Sequence, residues 1–202
     1  MNLFPFFIMK AARKILREQN KSVRDCEFLI IGDYGGIVEC VIDNLYPHAR
    51  FLTVFSAQSP DFDLKAEDVF FDCGLKISIM PPGKDMTGMA DIIINCDNKT
   101  KFRYDSYFKE NAVYFDCTGQ KDKNEVLRRR RPDMTVIGGF CIYAFRRRMS
   151  LPEFELAFEP YCKEYGRMTE TGYDTGMFEV IKERIERVGT YVIPSAGAGG
   201  NV

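Results

Sequence analysis

The sequence has no Cys-x-x-Cys pair and only one histidine, His48, so residue spacing assembles no zinc ligand set. It also lacks net charge. Its 28 Lys and Arg stand against 29 Asp and Glu, which leaves −1 and no whole-molecule field toward nucleic acid or anionic lipid. No apolar stretch approaches the roughly twenty residues that cross a bilayer. The apolar opening Met1 to Met9 is followed, not preceded, by Lys10, Arg13 and Lys14, the wrong order for a secretory signal. Seven cysteines form an odd set without a framework spacing and suit a reduced chain. A cytoplasmic protein with no membrane contact is therefore expected, and nucleic-acid binding is disfavoured.

What is present is the composition of a globular chain. Its 202 residues are 46% hydrophobic and 28% charged, enough for one sizeable core. Six short runs read as strands: Glu27 to Ile31, Phe51 to Phe55, Lys76 to Met80, Asp91 to Asn95, Ala112 to Asp116, and Met134 to Ile137. They are nearly continuous in apolar residues, the pattern of strands covered on both faces. Helical periods separate them, as in Ile37, Val38, Val41, Ile42 and Leu45, and in Ala66, Val69, Phe70 and Cys73. A helical turn is expected at Asp105 to Glu110 and a helix at Lys123 to Arg131. Pro81 to Ala90 leaves room only for an extended crossover.

The expected class is thus α/β, a doubly wound, mainly parallel six-stranded Rossmann-like sheet. It carries helical N- and C-terminal extensions. The expected division is a helical lead at 1–24, a nucleotide-binding domain at 25–148 and a helical extension at 149–202. In the extension, Phe154 to Tyr165 and Met177 to Val188 read as helices, and the Ala-Gly end from Ser195 reads as frayed.

The first strand runs into Gly32-Asp33-Tyr34-Gly35-Gly36 and then directly into a helix. Strand, glycine turn and helix start together make an anion site, because glycine opens the backbone to phosphate oxygens and the helix N-terminus adds partial positive charge. Against Gly-x-Gly-x-x-Gly, Tyr34 takes the second glycine's place and Ile37 the third's. The motif alone leaves nucleotide binding and a plain structural turn as alternatives. The second strand ends at Ser56 where an acid would hold a ribose, so neither NAD nor NADP is specified, and Ser56 can bond a ribose neutrally. Asp33 would repel a pyrophosphate unless it faces outward. S-adenosylmethionine, with its sulfonium, would tolerate it better.

Ala90-Asp91-Ile92-Ile93-Ile94-Asn95-Cys96 and Asn111-Ala112-Val113-Tyr114-Phe115-Asp116-Cys117 resemble the fourth and fifth strands of NAD(P)-binding Rossmann domains of the shikimate dehydrogenase and glutamyl-tRNA reductase type. Thr135 to Tyr143 is similar to that family's sixth strand, whose glycine end borders the nicotinamide. The resemblance covers about residues 25 to 148. It implies NAD or NADP as cofactor and oxidoreductase-like chemistry, with Gly32, Gly35, Gly36, Gly138 and Gly139 facing the cofactor. The family's catalytic Lys and Asp lie in a preceding domain of about a hundred residues, to which only a short helical lead corresponds here. No catalytic residue is carried over.

A parallel sheet also gathers its strand ends along one edge, so Asn95, Cys96 and Asp97 should collect near the turn with Asp116, Cys117 and Thr118. The polar residues suit a crevice or merely a strand exit, and the cysteines read as small buried hydrophobes. His48 reads as a solvent-facing loop residue. Arg128 to Arg131 should end a helix, whereas Arg146 to Arg148 should lie nearer the crevice. The dense apolar group Leu3 to Met9 must pack on the sheet or on a second subunit, which makes a homodimer or a protein partner through the N-terminus a candidate. Three functions follow: a nucleotide-binding oxidoreductase-like protein, an S-adenosylmethionine-dependent methyltransferase, and a non-catalytic Rossmann-derived scaffold.

Overall fold

The computed structural model describes residues 2–56, 60–81, 90–98, 108–161 and 175–195. Helix α1 (Phe4–Glu18) carries Pro5 in its first turn, where the missing N–H leaves no bond unmade. Its apolar residues recur at helical spacing, and Phe7, Ile8, Ala11, Ala12 and Leu16 are buried. Strand β1 (Glu27–Ile31) leads through the glycine turn into α2 (Gly36–Leu45), and β2 (Phe51–Phe55) into α3 (Pro60–Cys73). There follow β3 (Ile77–Met80), β4 (Ile92–Asn95), β5 (Val113–Asp116), α4 (Lys121–Arg130) and β6 (Thr135–Ile137).

These six strands form one sheet in the order β3-β2-β1-β4-β5-β6, and every neighbouring pair is parallel. Successive side chains of β1 enter opposite faces, as a period of two requires. Phe28 and Ile30 pack with Val41 and Ile42 of α2 and with Phe7 of α1, whereas Leu29 and Ile31 join Ile93, Val136, Phe108 and Ala112 on the other face. The chain therefore covers one face with α1 to α3. It turns to the other after β4, and this switch lies between β1 and β4. The Rossmann-like α/β class read from the sequence is the observed one.

Beyond β6 lie β7 (Gly139–Ala144), β8 (Arg147–Ser150), α5 (Leu151–Phe158), α6 (Thr175–Arg187) and β9 (Tyr191–Ser195). Of the two expected C-terminal helices, Met177 to Val188 coincides closely with α6, whereas α5 starts three residues before Phe154 and ends at Phe158 in a 3-10 turn. In addition β7, β8 and β9 form a separate antiparallel sheet in the order β8-β7-β9, which the reading of a helical extension did not contain. The β7–β8 turn places Phe145 (φ 50°) and Arg146 (φ 61°) in the left-handed region. Hairpins ordinarily signal such a turn with Asn or Gly, and neither stands here. Of the other expectations, 82–89 of the crossover, 105–107 of the helical turn, 162–165 of the first C-terminal helix and the end 196–202 lie outside the described residues.

The apolar N-terminus is covered by the chain itself. Phe7 meets Phe140 of β7 and Phe154 of α5 edge-on, with ring centroids at 5.9 and 5.6 Å. The Leu3 amide donates to Glu155 Oε1 at 2.6 Å. The partner surface expected at Leu3 to Met9 is thus not exposed, because packing on the body of the chain buries all of these residues. Among the described residues no helix is long and apolar enough to cross a membrane.

Candidate functional site

Parallel pairing carries the C-terminal ends of the sheet strands to one edge, and its ladder continues one residue past several of them. The Gly32 amide donates to Phe55 O (3.0 Å), Ser56 to Met80 O (3.2 Å), Cys96 to Ile31 O (2.8 Å) and Cys117 to Asn95 O (2.9 Å). The strand order reverses between β1 and β4, so the glycine turn after β1 lies at the topological switch point of this edge, where ligands of such sheets bind.

Two glycines of the turn have distinct physical roles. Gly32 has φ +156°, and a Cβ built on it would lie 3.1 Å from both Cys96 Cβ and Val38 Cγ2, so only glycine lets β1 pass this closely into the turn. Gly35, also at φ +156°, is the N-cap of α2, and a Cβ there would meet nothing within 4 Å among the described residues. Among these residues no side chain caps α2, and its first-turn amides have no partner in the helix's own ladder.

The two side chains of the turn have partners on neighbouring elements. Tyr34 packs edge-on against Phe62 of α3, with ring centroids 5.1 Å apart at 87°. Asp33 is exposed and accepts a 3.1 Å hydrogen bond from Ser56 Oγ at the end of β2. A carboxylate thus stands beside the position where the second strand lacks one, a link between two candidates that the sequence reading kept separate.

Across the switch point, Asn95 and Asp116 are in register on β4 and β5 and are both buried. Asp116 accepts hydrogen bonds from the Thr118 amide (3.0 Å), Thr118 Oγ1 (2.5 Å), the Gln120 amide (3.0 Å) and Asn124 Nδ2 (2.7 Å). This set fixes the β5–α4 connection. Asn124 was not among the sequence candidates, although an Asp ending a strand ahead of Thr and a helix is a legible signal for such a turn. The Asp97 amide donates to Asn95 Oδ1 at 3.3 Å, which folds the chain back over the end of β4. Burial holds the thiols of Cys117 and Cys40 well above the ordinary cysteine range, and the neighbouring Cys96 adds to both shifts. Burial likewise raises the Tyr114 phenol, with Asp116 contributing.

The structure therefore brings Gly32 to Gly36, Ser56, Asn95, Cys96 and Asp97 to neighbouring strand ends. Gly138 and Gly139 lie on the same edge but three strands from β1, about 14 Å away at about 4.8 Å per strand. Gly139 also opens β7, in register with Ser195 of β9. Arg146 stands in the β7–β8 turn, and Arg147 and Arg148 open β8, where Arg148 Nε donates to Cys141 Sγ at 2.7 Å. Arg128 and Arg131 sit at the end of α4, where Arg131 binds Asp133 and the carbonyls of Phe108 and Lys109. His48 lies in the α2–β2 connection on the opposite edge. It is half-buried, not solvent-facing, and burial, with Arg13 and Lys182, lowers its pKa. Among the described residues no cluster of His, Cys, Asp or Glu is arranged to hold a metal.

No family model matches the chain, and no curated protein does. Its fold is similar to several solved structures. Shikimate 5-dehydrogenase from Listeria monocytogenes, solved with shikimate and NAD, aligns at 11% identity and a TM-score of 0.49, over 63% of this chain and 50% of that one. Quinate dehydrogenase from Corynebacterium glutamicum, solved with NAD, aligns at 13% identity and 0.49, over 93% and 62%. Shikimate dehydrogenase 1 from Peptoclostridium difficile aligns at 12% identity and 0.48, over 90% and 61%. The alignments thus span about half to three fifths of the length of these proteins.

Proposed function

We propose that the chain binds a nucleotide of the NAD(P) type along the C-terminal edge of its parallel sheet and belongs to an oxidoreductase-like system. The observation that supports this reading is the glycine start of α2 at Gly35, which among the described residues has no side-chain cap and no atom within 4 Å of an added Cβ, at the point where the strand order reverses. A pyrophosphate there would accept hydrogen bonds from the first-turn amides of α2, and the helix dipole would favour its charge. The adenosine ribose would lie toward the end of β2, where Asp33 and Ser56 can bond its hydroxyls. The second half of the ligand would run past Asn95, Cys96 and Asp97 toward Gly138 and Gly139. When bound, such a cofactor supplies hydride donation or acceptance, and the residues named here bind and orient it.

The S-adenosylmethionine alternative lacks support. It anticipates an antiparallel strand closing the main sheet, whereas among the described residues that sheet ends at the parallel β6 and β7 leaves for another sheet. The scaffold alternative relied on the apolar N-terminus together with the arginine runs, and the first of these is buried within the chain.

Thermal-shift titration tests the proposal. A ligand present at about a hundred times its Kd stabilises the native state by about 2.7 kcal/mol, which in a chain of this length is about 5–10 °C. NADH or NADPH should produce such a rise and S-adenosylmethionine none. If neither dinucleotide changes the melting temperature, the proposal fails.

A further inference from the structure

Two cysteines occupy equivalent places just past the ends of the neighbouring strands β4 and β5, Cys96 being the one next to the glycine turn. Asn95 and Asp116 are paired residues at the ends of β4 and β5, and the Cys117 amide continues that ladder onto Asn95 O at 2.9 Å. Cys96 and Cys117 are therefore the next lateral pair. Both turn away from the Asn95 and Asp116 side, into the face that also holds Cys40 of α2. Parallel neighbours at about 4.8 Å fall within the roughly 4.4–6.8 Å Cα separation that a disulfide spans. Both thiols are free, and Cys96 packs against the same apolar cluster that holds Cys117.

Their environments differ in the way that a two-step oxidation needs. Cys117 is buried, whereas Cys96 is half-buried. Cys96 is also tied to the turn. Its amide bonds Ile31 O at 2.8 Å, and its Cβ is one of the atoms that a side chain at Gly32 would strike.

We propose that Cys96 and Cys117 are a modification site, forming a reversible intramolecular disulfide in the presence of a peroxide and thereby weakening nucleotide binding in the adjoining crevice. In the first step the Cys96 thiolate attacks one peroxide oxygen. An S–O bond forms, the O–O bond breaks, and the departing hydroxide takes a proton to become water, leaving a sulfenic acid. In the second step the Cys117 sulfur attacks the Cys96 sulfur. The S–S bond forms and the S–O bond breaks, and hydroxide leaves with the Cys117 proton as a second water. Two thiols are oxidised and one peroxide is reduced. A dithiol reverses the reaction by exchange. The disulfide stands independently of the nucleotide reading, whereas its effect on binding rests on it.

The experiment uses the reduced full chain and equimolar hydrogen peroxide, followed by alkylation and trypsin without reductant. Trypsin places the two cysteines in separate peptides, 85–99 and 110–121, each with one cysteine. The expected product is the linked pair, lighter than the two reduced peptides by two hydrogens and separated again by dithiothreitol. Dimedone should label Cys96 in Cys117→Ser, and Cys117 should stay unmodified in Cys96→Ser. Wild-type mapping gives an answer even if a variant fails to fold. A sulfenic or sulfinic acid accumulating on Cys96 without the linked pair, or oxidation confined to Cys73 and Cys141, overturns the site. The oxidised chain should bind NADH about tenfold more weakly, the equivalent of about 1.4 kcal/mol. Unchanged affinity would overturn the coupling. A linked pair in a chain that binds NADH in neither redox state would support the disulfide site and refute the nucleotide reading.

Discussion

Ser56 Oγ donates a hydrogen bond to Asp33 Oδ1 at 3.1 Å and so joins the end of β2 to the glycine turn that follows β1. On the proposed reading, this carboxylate would stand in for the acid that commonly ends the second strand of a dinucleotide-binding sheet. A carboxylate there accepts hydrogen bonds from an unmodified ribose and repels a 2′-phosphate. The chain should therefore bind NADH more tightly than NADPH, and Asp33→Asn should narrow the ratio by about tenfold, as read by competitive titration of the two cofactors. A ratio that Asp33→Asn leaves unchanged would separate Asp33 from the ribose.

The two turn glycines should respond differently to a methyl group. At Gly32 the new Cβ meets Cys96 and Val38 at 3.1 Å, in a backbone conformation that side chains rarely adopt. Gly32→Ala should cost about 2–3 kcal/mol and lower the melting temperature by about 4–12 °C. Gly35→Ala carries the conformational cost without the clash, so it should melt higher than Gly32→Ala while losing nucleotide affinity. Calorimetry on the two variants decides this.

Asp91, at the opposite edge of the sheet, carries much of the local charge balance. Its carboxylate accepts the Glu27 amide at 3.1 Å and pairs with Lys21 (3.1 Å) and Lys109 (2.9 Å). Burial pushes its pKa up, but the bonds from Lys109, the Glu27 amide and Lys21 outweigh burial and leave it below the usual carboxylate range. A depressed native pKa means stability that is present above the unfolded value of about 3.9 and is lost as pH falls through the native one. Asp91→Ala should cost about 2 kcal/mol at pH 7. The difference from wild type should shrink as the pH is lowered below about 4, measured by urea denaturation. A difference independent of pH would assign the effect to packing.

Phe7 is fully buried between Phe140 and Phe154, so Phe7→Ala should destabilise the chain by about 3–5 kcal/mol. Because α1 is covered within the chain, the sedimentation behaviour of the folded variant should match wild type. A change in oligomeric state with unchanged stability would return this segment to an interface.

The parallel sheet was legible because each strand is a short apolar run ended by polar or turn residues, and Glu27 to Ile31 and Phe51 to Phe55 coincide with β1 and β2. The capping box that starts α5 is also spelled in the sequence. Ser150 Oγ accepts the Glu153 amide and Glu153 Oε2 accepts the Ser150 amide, yet the helix was expected to begin only at Phe154. The second sheet was hidden for a physical reason, since its hairpin turns on Phe145 and Arg146 in place of glycine. At the site, the glycines and strand-end polar residues could be named in advance. The bond from Ser56 to Asp33 could not, because it depends on two loops meeting across neighbouring strands.

The central claim is that the glycine start of α2 holds a dinucleotide, and titrating the protein into NADH while following the nicotinamide fluorescence tests it most directly. Wild type should give a saturable change. Gly36→Asp should melt near wild type, because an acid in the first turn of a helix suits its dipole, and should give no saturable change because its charge opposes the pyrophosphate. Equal saturation by both proteins, or by neither, would contradict the account.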